Sequence, residues 1–385
     1  MQVLTNSIRD GWYATTPELL HDRERIVRQL TKGGVTNAEV TALLDRNERA
    51  VQNSPDACFV FDDAGYATLT IEEQSFAAGH FSICPIDDLR RRASEASRGA
   101  SGQVRLSVLH GAHPLTDIGS LQASAPAGTL FQVASQFDCL EAPSAAIVLV
   151  RNYTGDSTQG PRASVSAFPA TLLRHYRAPA PDGNRFQQTD ANSVNLLGEV
   201  FGAEIARVQA GYLQAHNVLD PAALARALEE RFGRICVGVH DDVEVVFGYD
   251  WGGPVPAGKQ QRIAQVFTST IALGRYSVGA TGAEFVTIRR QLLRAAYLGT
   301  LLAAIALRKH TVVLTMIGGG VFGNPHREIW DAIHWALAEV DPMVGEGLQV
   351  VVNTREHLGQ EEKAKVRARG GAVAKFSHGG IDLLR

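Results

Sequence analysis

The chain reads TVVLTMI at residues 311–317, GGGVFG at 318–323 and HREIWDAIHWALAEV at 326–340. The first stretch is apolar and β-branched, which predicts a buried strand, and the third repeats apolar residues at helical spacing. Glycines between a strand and a helix permit positive φ angles and a close approach of the backbone to a ligand. Because unpaired amides at a helix N-terminus attract phosphate, this turn predicts an anion-binding site. A tight turn that serves packing alone is the alternative.

Strand and helix patterns alternate along most of the chain around this segment. Apolar strand patterns occur at 103–111, 129–135, 145–153, 235–240, 243–248, 262–270 and 348–354, and CFVFDD (58–63) with YATLTI (66–71) predicts a hairpin. Amphipathic helical patterns occur at 203–217, 221–233, 284–308 and 361–370, and two more cover about 17–33 and 36–51. This alternation predicts an α/β fold, with helices on both faces of a largely buried sheet and a helical extension before it.

The composition excludes several classes of protein. Lys and Arg total 37 against 40 Asp and Glu, a net charge of −3, so we expect no broad basic face for nucleic acid. The four cysteines share no C-x-x-C spacing, which favours reduced thiols over a disulfide framework or a zinc site. No apolar run approaches ~18 residues and the N-terminus lacks a signal-peptide core, so we expect no membrane span. A cytoplasmic protein is the default expectation, with an exported effector acting in a host cytosol as the alternative.

The glycine loop also satisfies G-x-G-x-x-G, the fingerprint of dinucleotide-binding folds. That fold places its fingerprint in the first βα turn, whereas only 62 residues, 324 to 385, follow Gly323. The next strand pattern carries Asn353 where an NAD enzyme has Asp or Glu, and an NADP enzyme would have to use Arg355. The fingerprint therefore leaves an NADP-dependent oxidoreductase as a secondary interpretation.

A different family accounts for more of the sequence. MIGGGVFGNPHREIWDAIHWAL (316–337) resembles the second phosphate loop of macrodomains and related ADP-ribosyl hydrolases, in which a late strand ends in a glycine-rich turn before a helix. The resemblance implies that the loop backbone wraps a diphosphate and that Phe322 lies against the distal ribose. The residues that it assigns to ADP-ribose are Gly318, Gly319, Gly320, Val321, Phe322, Gly323 and Asn324.

Two earlier segments resemble the rest of a macrodomain site. LFQVASQFDCLEAPSAA (130–146) resembles the first loop, which orients the terminal ribose. In place of the usual paired asparagines it carries Gln132, Ser135, Gln136 and Asp138. TDIGSLQ (116–122) resembles the Gly-Asp-Ile-Thr segment, which implies that Asp117 and Ile118 contact the adenine. Glu141, at the end of the first loop, is expected to be a capping residue.

The combination of motifs resembles one macrodomain-related branch in particular. Besides DIGSLQ and LFQVASQFDCLE, the motifs are TQGPRASVSAFPATLLRHY (158–176), VGVHDDVEVVFG (237–248) and AQVFTSTIALGRYS (264–277). That branch contains bacterial effector-type hydrolases that remove ADP-ribose from arginine, including arginine on ubiquitin. The resemblance implies a macrodomain-like three-layer α/β/α sandwich with a mixed sheet, and a hydrolase that binds ADP-ribose and mono-ADP-ribosylated protein.

Hydrolysis of an ADP-ribosyl bond develops oxocarbenium character and needs carboxylates near the anomeric carbon. HDDVEVVFGYDWGG (240–253) is the densest cluster of acids in the chain. On a strand Asp242 and Glu244 would share one face, and Asp250 would lie in the loop that follows. We expect Asp242 and Asp250 to be catalytic or to bind the guanidinium, with Glu244 in support. The alternative is that these acids line an exposed strand edge.

The sequence therefore predicts a helical and hairpin extension at 1–102 and a macrodomain-like catalytic domain at 103–385. The expected reaction is hydrolysis of the N-glycosidic bond without a cofactor or a metal ion, since no His, Asp or Cys set has metal-binding spacing. A module that binds ADP-ribose without cleaving it is the main alternative, because such a module needs the phosphate loops but not the acids at 241–250.

Overall fold

The structure is a computed structural model that describes residues 37–97, 102–111, 116–248, 255, 260–277, 280–344, 347–356, 358–377 and 380–384. Its α-helices are α1 Asn37–Asn53, α2 Pro55–Cys58, α3 Ile86–Ala96, α4 Ile118–Ser124, α5 Gln159–Ser166, α6 Phe168–Tyr176, α7 Pro221–Glu230, α8 Ala283–Ala306, α9 His326–Val340 and α10 Gln360–Ala368. Its strands are β1 Phe59–Phe61, β2 Ala67–Ile71, β3 Gln74–Pro85, β4 Arg105–His110, β5 Leu130–Ala134, β6 Ala178–Pro179, β7 Arg185–Phe186, β8 Cys236–Glu244, β9 Arg262–Thr268, β10 Thr311–Thr315, β11 Gln349–Thr354, β12 Val373–Ser377 and β13 Gly380–Leu384.

Eleven of these strands form one mixed sheet in the order β1-β2-β3-β8-β9-β5-β10-β11-β4-β12-β13. The six neighbours from β9 to β12 in this order are parallel. The outer strands, from β1 to β8 at one edge and β13 at the other, pair antiparallel. Because the six parallel strands point the same way, their carboxyl ends meet along one side of the sheet, where open α/β sheets bind their ligands.

Helices cover both faces of this sheet. On β8, Val237 lies against Gly299 of α8, where an added Cβ would stand 2.6 Å from a valine methyl. His240, on the same strand, instead contacts Arg174 of α6. Val237 and His240 are an odd number of residues apart and side chains alternate along a strand, so α8 and α6 lie on opposite faces. Helices α3, α7 and α9 pack with α8, whereas α1 and α5 pack with α6, which gives three layers.

The central strands are apolar on both faces because both faces are covered. Val312–Leu314 of β10 and Val350–Val352 of β11 are all buried, as expected for parallel strands between two helical layers. The second half of α8 is buried around nearly its whole circumference, which explains its continuous apolar sequence, LGTLLAAIA.

The predicted α/β class with a mixed sheet, the hairpin of β1 and β2, and a helix near the N-terminus are confirmed. Helix α1 is the second of the two predicted N-terminal helices, and the first lies outside the described residues. Strands β1 to β3 fall in the segment assigned to the extension, yet β3 pairs with β8 in the main sheet. A domain boundary at residue 102 stays a prediction.

Two predicted elements are wrong. Residues 145–153 form no strand, because the amides of Val150 and Arg151 donate to the Glu48 carboxylate at 2.7 and 3.1 Å and a 3-10 turn forms there against α1. Residues 203–217 form turns rather than a helix, since Ala210 and Gly211 take positive φ angles of 41° and 76°. Within the described part of the chain, every helix is too short or too polar to span a lipid bilayer.

Candidate functional site

A cavity of about 280 Å³ opens at the carboxyl ends of β9, β5, β10 and β11. Residues that directly follow these strands form its floor, among them Ser135 after β5, Ser269 after β9 and Met316 after β10. The walls come from the glycine loop after β10, the segment Glu141 to Pro143, and the start of α5. The cavity therefore occupies the position where this class of sheet binds ligands, at a size near the lower limit for small-molecule sites.

The glycine loop joins β10 to α9 and forms one wall. Gly318 takes a φ of +68°, and a Cβ there would stand 2.5 Å from the side-chain amide of Asn324, so only glycine fits. Asn324 is buried and donates to the carbonyl of Ile271 at 3.2 Å, which ties the loop to the segment after β9. Several loop amides donate to no acceptor among the described residues and so remain free to bind an anion. These amides belong to Gly318, Gly320, Val321 and Phe322.

Two helix N-termini border the cavity from opposite layers. α9 begins at His326, which lines the cavity. α5 begins at Gln159, and residues 158 to 161 line the cavity from the other side of the sheet. A Cβ on Gly160 would stand 2.2 Å from the Ala134 carbonyl oxygen and 2.5 Å from a Glu141 carboxyl oxygen, so glycine permits this approach. Because helix N-termini carry partial positive charge, the arrangement favours an anionic ligand.

Glu141 is the buried carboxylic acid of the cavity. It lines the cavity although the residue is only 3% exposed, and its Oε1 accepts a hydrogen bond from the Ser164 hydroxyl at 3.4 Å. Burial raises the pKa of the Glu141 carboxyl well above its usual value, and the Ser135 hydroxyl and the charge of Arg174 offset part of this effect. Burial therefore favours the protonated form of this carboxyl, which suits a general acid. Glu141 caps none of the helices that the structure describes, contrary to the prediction.

Asp156 is a second carboxylate in the same cavity. Its Oδ1 accepts a hydrogen bond from the Thr158 amide at 2.8 Å, which fixes the side chain just before α5. Asp156 forms no ion pair with any residue that the structure describes. Its negative charge adds, after burial, to the rise in the pKa of the Glu141 carboxyl. The cavity thus combines a buried acid with a carboxylate that is free to bind a cation.

An aromatic cluster of Tyr212, Tyr276 and Phe322 forms part of the wall, with ring centroids 5.5, 5.6 and 5.7 Å apart. The Tyr212 hydroxyl donates to the carbonyl of Ala142 at 2.6 Å. Phe322 belongs to the glycine loop and Ala142 follows Glu141, so the cluster connects the glycine-loop wall to the wall that carries Glu141. Flat apolar rings with polar edges suit contact with a sugar or a base.

The structure brings about half of the predicted ADP-ribose residues to the cavity. Those that line it are Ser135, Gln136, Gly318, Gly319, Gly320, Val321 and Phe322. Gln136 uses its amide within the protein, because it donates to the Ala142 carbonyl at 3.0 Å and accepts from the Ala142 amide at 2.8 Å. Gly323 and Asn324 lie behind the wall, where they support the loop.

Gln132 and Asp138, both predicted to bind the ligand, lie outside the cavity wall. Gln132 faces α8, where its Nε2 donates to the Ala296 carbonyl at 3.1 Å. Asp138 is fully buried, and its Oδ1 accepts from the Leu140 amide at 2.9 Å. Neither residue lines the cavity, because the Gln132 side chain points towards α8 and Asp138 is enclosed by its own loop.

Asp117 and Ile118 also lie outside the cavity wall. Asp117 caps α4 by accepting from the Ser120 amide at 3.2 Å, and its carboxylate forms an ion pair with Arg162. The amide of Ile118 donates to the Gln159 side chain at 3.0 Å. These contacts join α4 to the start of α5, which forms part of the cavity wall, and a contact of either residue with the ligand stays a prediction.

Two of the predicted catalytic acids, Asp242 and Glu244, lie away from this cavity. Asp242 and Glu244 end β8, where Glu244 pairs with Arg262, the first residue of β9. The cavity lies at the other end of β9, roughly 20 Å away for a seven-residue strand. Asp242 is held by an ion pair with Arg262 at 2.7 Å, and Glu244 accepts a backbone amide of β3 at 2.8 Å. These two acids therefore do not line the cavity, and their catalytic role stays a prediction; Asp250 lies outside the described residues.

Sequence reasoning missed Glu141 as an acid and gave Asp156 no chemical role. Both residues lie in the connection between β5 and α5, close after the carboxyl end of a parallel strand. Position after such a strand is the one sequence signal that could have marked them, because this edge of the sheet carries the ligand sites of the fold class. Among the described residues, no group of three or more His, Cys, Asp or Glu could hold a metal ion.

No protein-family model matches the chain, and no curated protein sequence matches it. Its fold is similar to that of poly(ADP-ribose) glycohydrolase from Thermomonospora curvata, with 16% identity, a TM-score of 0.47, and coverage of 86% of this chain and 99% of that one. The same enzyme bound to the inhibitor ADP-HPD gives 14% identity and a TM-score of 0.44, with the same coverage. Poly(ADP-ribose) glycohydrolase from Deinococcus radiodurans in complex with ADP-ribose gives 13% identity and a TM-score of 0.41, with coverage of 75% and 93%.

Proposed function

We propose that the protein hydrolyses the bond between mono-ADP-ribose and a modified protein, with arginine as the attachment residue. One observation carries the proposal: a single cavity holds a glycine loop whose amides are free among the described residues, and a buried carboxylic acid, Glu141, whose pKa is raised by burial. A ligand with a diphosphate and a glycosidic bond uses both features. The order of sequence motifs that resembles macrodomain-related hydrolases supports the same ligand.

The diphosphate would bind at the glycine loop. Free loop amides and the N-termini of α9 and α5 provide hydrogen-bond donors and partial positive charge from two sides. The rings of Tyr212, Tyr276 and Phe322 would contact the sugar next to the diphosphate. Since these rings adjoin the segment that carries Glu141, a diphosphate on the loop would direct the terminal ribose towards the acid.

Cleavage breaks the bond between the anomeric carbon of that ribose and a nitrogen of the attached side chain. The leaving nitrogen needs a proton, which Glu141 supplies as the C–N bond breaks. Water adds to the anomeric carbon, and the proton that it loses returns to the Glu141 carboxylate through solvent. The acid is thereby regenerated, and water is the only molecule consumed besides the substrate.

Arginine is the attachment residue that suits the second carboxylate. A guanidinium is cationic at neutral pH and forms strong paired hydrogen bonds with carboxylates. Asp156 lines the cavity without an ion-pair partner in the described structure, so it would accept these hydrogen bonds. The proposed partner is accordingly an arginine-modified protein, with ubiquitin as the specific candidate and a cytosol as the site of action.

Two other functions lead to different expectations. A module that only binds ADP-ribose would use the same loop but has no need for a buried acid at the cavity, so Glu141 counts against it. An NADP-dependent oxidoreductase would carry its fingerprint after the first parallel strand. Here the glycine loop follows β10, the fourth of the six parallel strands in chain order.

Calorimetric titration with ADP-ribose, NAD and NADP, together with release of ADP-ribose from an arginine-modified protein, tests the proposal. We expect binding of ADP-ribose and release of free ADP-ribose by the wild-type protein. Binding of NADP with none of ADP-ribose would exclude the ligand. Binding of ADP-ribose without release from arginine, glutamate or serine linkages would instead support the non-catalytic module.

A further inference from the structure

Arg174 of α6 is a cation buried in the interior of the fold. It is the largest of the fully buried side chains, and it forms no ion pair with any carboxylate in the described structure. Burial lowers the pKa of its guanidinium to about 10, so the side chain remains charged at neutral pH. A buried charge without a paired carboxylate is costly, which points to a role beyond packing.

The hydrogen-bond partners of this guanidinium are all neutral. Nε donates to the Cys139 carbonyl and Nη1 to Nδ1 of His240, both at 3.1 Å. Burial holds the pKa of His240 well below its usual value, and its other ring nitrogen contacts a carbonyl of β3 at 2.7 Å. Nη2 donates to the hydroxyls of Thr171 at 3.0 Å and Ser164 at 3.3 Å. The positive charge is therefore solvated by the protein without being neutralised.

Ser164 connects this charge to the acid of the cavity. Its hydroxyl accepts from Arg174 at 3.3 Å and donates to Oε1 of Glu141 at 3.4 Å. Ser164 itself is fully buried in α5, whose N-terminus borders the cavity. Hydrogen bonds in a dry interior polarise one another, so the guanidinium strengthens the bond that the serine gives to the carboxyl.

We propose that Arg174 and Ser164 are positioning residues that stabilise the carboxylate form of Glu141 in each catalytic cycle. The inference rests on the proposed hydrolase function, in which Glu141 alternates between acid and carboxylate. A fully buried carboxyl without such support holds its proton too tightly to transfer it to a leaving group. The cation acts through the serine, so it lowers the barrier to proton release without entering the cavity.

Other charged or titratable groups also act on Glu141 from the elements around it. Two carboxyls oppose Arg174, because negative charge raises the pKa of a neighbouring acid. The Tyr153 hydroxyl accepts a hydrogen bond from the Glu141 backbone amide at 3.1 Å, and the Cys139 thiol lies beside the Arg174 guanidinium. The two carboxyls that oppose Arg174 are those of Asp138 and Asp156.

The test measures the pKa of Glu141 directly, by NMR of the full-length protein labelled with ¹³C at glutamate carboxyls. The Glu141 signal is assigned as the one that Glu141→Gln removes. Ser164→Ala deletes the connecting hydroxyl and should raise the pKa by about one unit, comparable with the loss of one hydrogen bond to a charged group. Ser166→Ala is the matched control, because Ser166 is equally buried in α5 and its hydroxyl has no partner in the described structure.

Arg174→Met, once circular dichroism shows it folded, should raise the Glu141 pKa by more than Ser164→Ala does. The alkaline limb of the pH–rate profile for arginine-linked ADP-ribose should move upward with the pKa in Ser164→Ala. An unchanged Glu141 pKa in Ser164→Ala overturns the proposal, and so does an equal rise in Ser166→Ala. Failure of the hydrolase function looks different: the wild-type protein releases no ADP-ribose, while the Glu141 pKa still responds to Ser164→Ala.

Discussion

The buried carboxyl of Asp138 should make the free energy of unfolding depend on pH. Its Oδ1 accepts from the Leu140 amide at 2.9 Å, whereas its Oδ2 has no partner among the described residues. Burial raises the pKa of Asp138 to about 7 from the ordinary value of 3.8. In the unfolded chain the carboxyl is solvated and returns to its ordinary pKa.

Between these two values the folded protein holds a proton that the unfolded chain has released. The contribution of Asp138 to stability is therefore fully present below the unfolded pKa and is lost as the pH rises through the folded pKa. The whole difference amounts to about 4 kcal/mol, at about 1.4 kcal/mol for each pKa unit. Between about pH 5 and pH 8, this one group should lower the free energy of unfolding by roughly 2–3 kcal/mol.

Urea unfolding of wild type and Asp138→Asn at these two pH values measures the effect. The amide does not titrate, so the variant should lose roughly 2–3 kcal/mol less than wild type over the same interval. Asp63→Asn is the control, because it makes the same substitution at an exposed position. Equal pH dependence in wild type and Asp138→Asn would refute the reasoning.

Three further substitutions test the cavity. Gly160→Ala should lower the free energy of unfolding, measured in urea, by about 1–3 kcal/mol, because its Cβ would stand 2.2 Å from the Ala134 carbonyl oxygen. A variant as stable as wild type would contradict that close approach. Asp156→Asn should lower kcat/KM for arginine-linked ADP-ribose by about tenfold or more, while the calorimetric affinity for free ADP-ribose is retained. An equal loss of kcat/KM and of this affinity would argue against a contact between Asp156 and the guanidinium. Asp242→Asn, at the opposite end of β9, should leave the release of ADP-ribose unchanged, and a large loss would return the catalytic role to that acid.

Local sequence patterns were sufficient to predict those elements whose structure depends on residues that are neighbours in the sequence. Helix α9 could be predicted to the residue, because its apolar period is unbroken and Pro325 precedes it. The glycine turn before it could also be predicted, because strand, glycines and helix are consecutive. Residues 203–217 show the limit of such patterns, since their apolar spacing suggests a helix that the positive φ angles of Ala210 and Gly211 interrupt.

The acids show why the site itself was harder to predict. Asp242 and Glu244 do end a strand, but β8 runs antiparallel to β9, so this end lies at the opposite side of the sheet from the cavity. The direction of a strand depends on pairing between distant segments, which a local pattern does not encode. Glu141 acquires its chemistry from burial beneath the start of α5 and from the charge of Arg174, both set by tertiary packing.

The hydrolase proposal is tested most directly by comparing wild type with Glu141→Gln on an arginine-ADP-ribosylated protein. Glutamine keeps the size of the side chain but has no carboxylic proton to give. Wild type should release free ADP-ribose, and the variant should do so with kcat reduced by about 10²–10⁴ while it still binds ADP-ribose in calorimetry. Turnover at the wild-type rate by Glu141→Gln, or no release by wild type, would contradict the account.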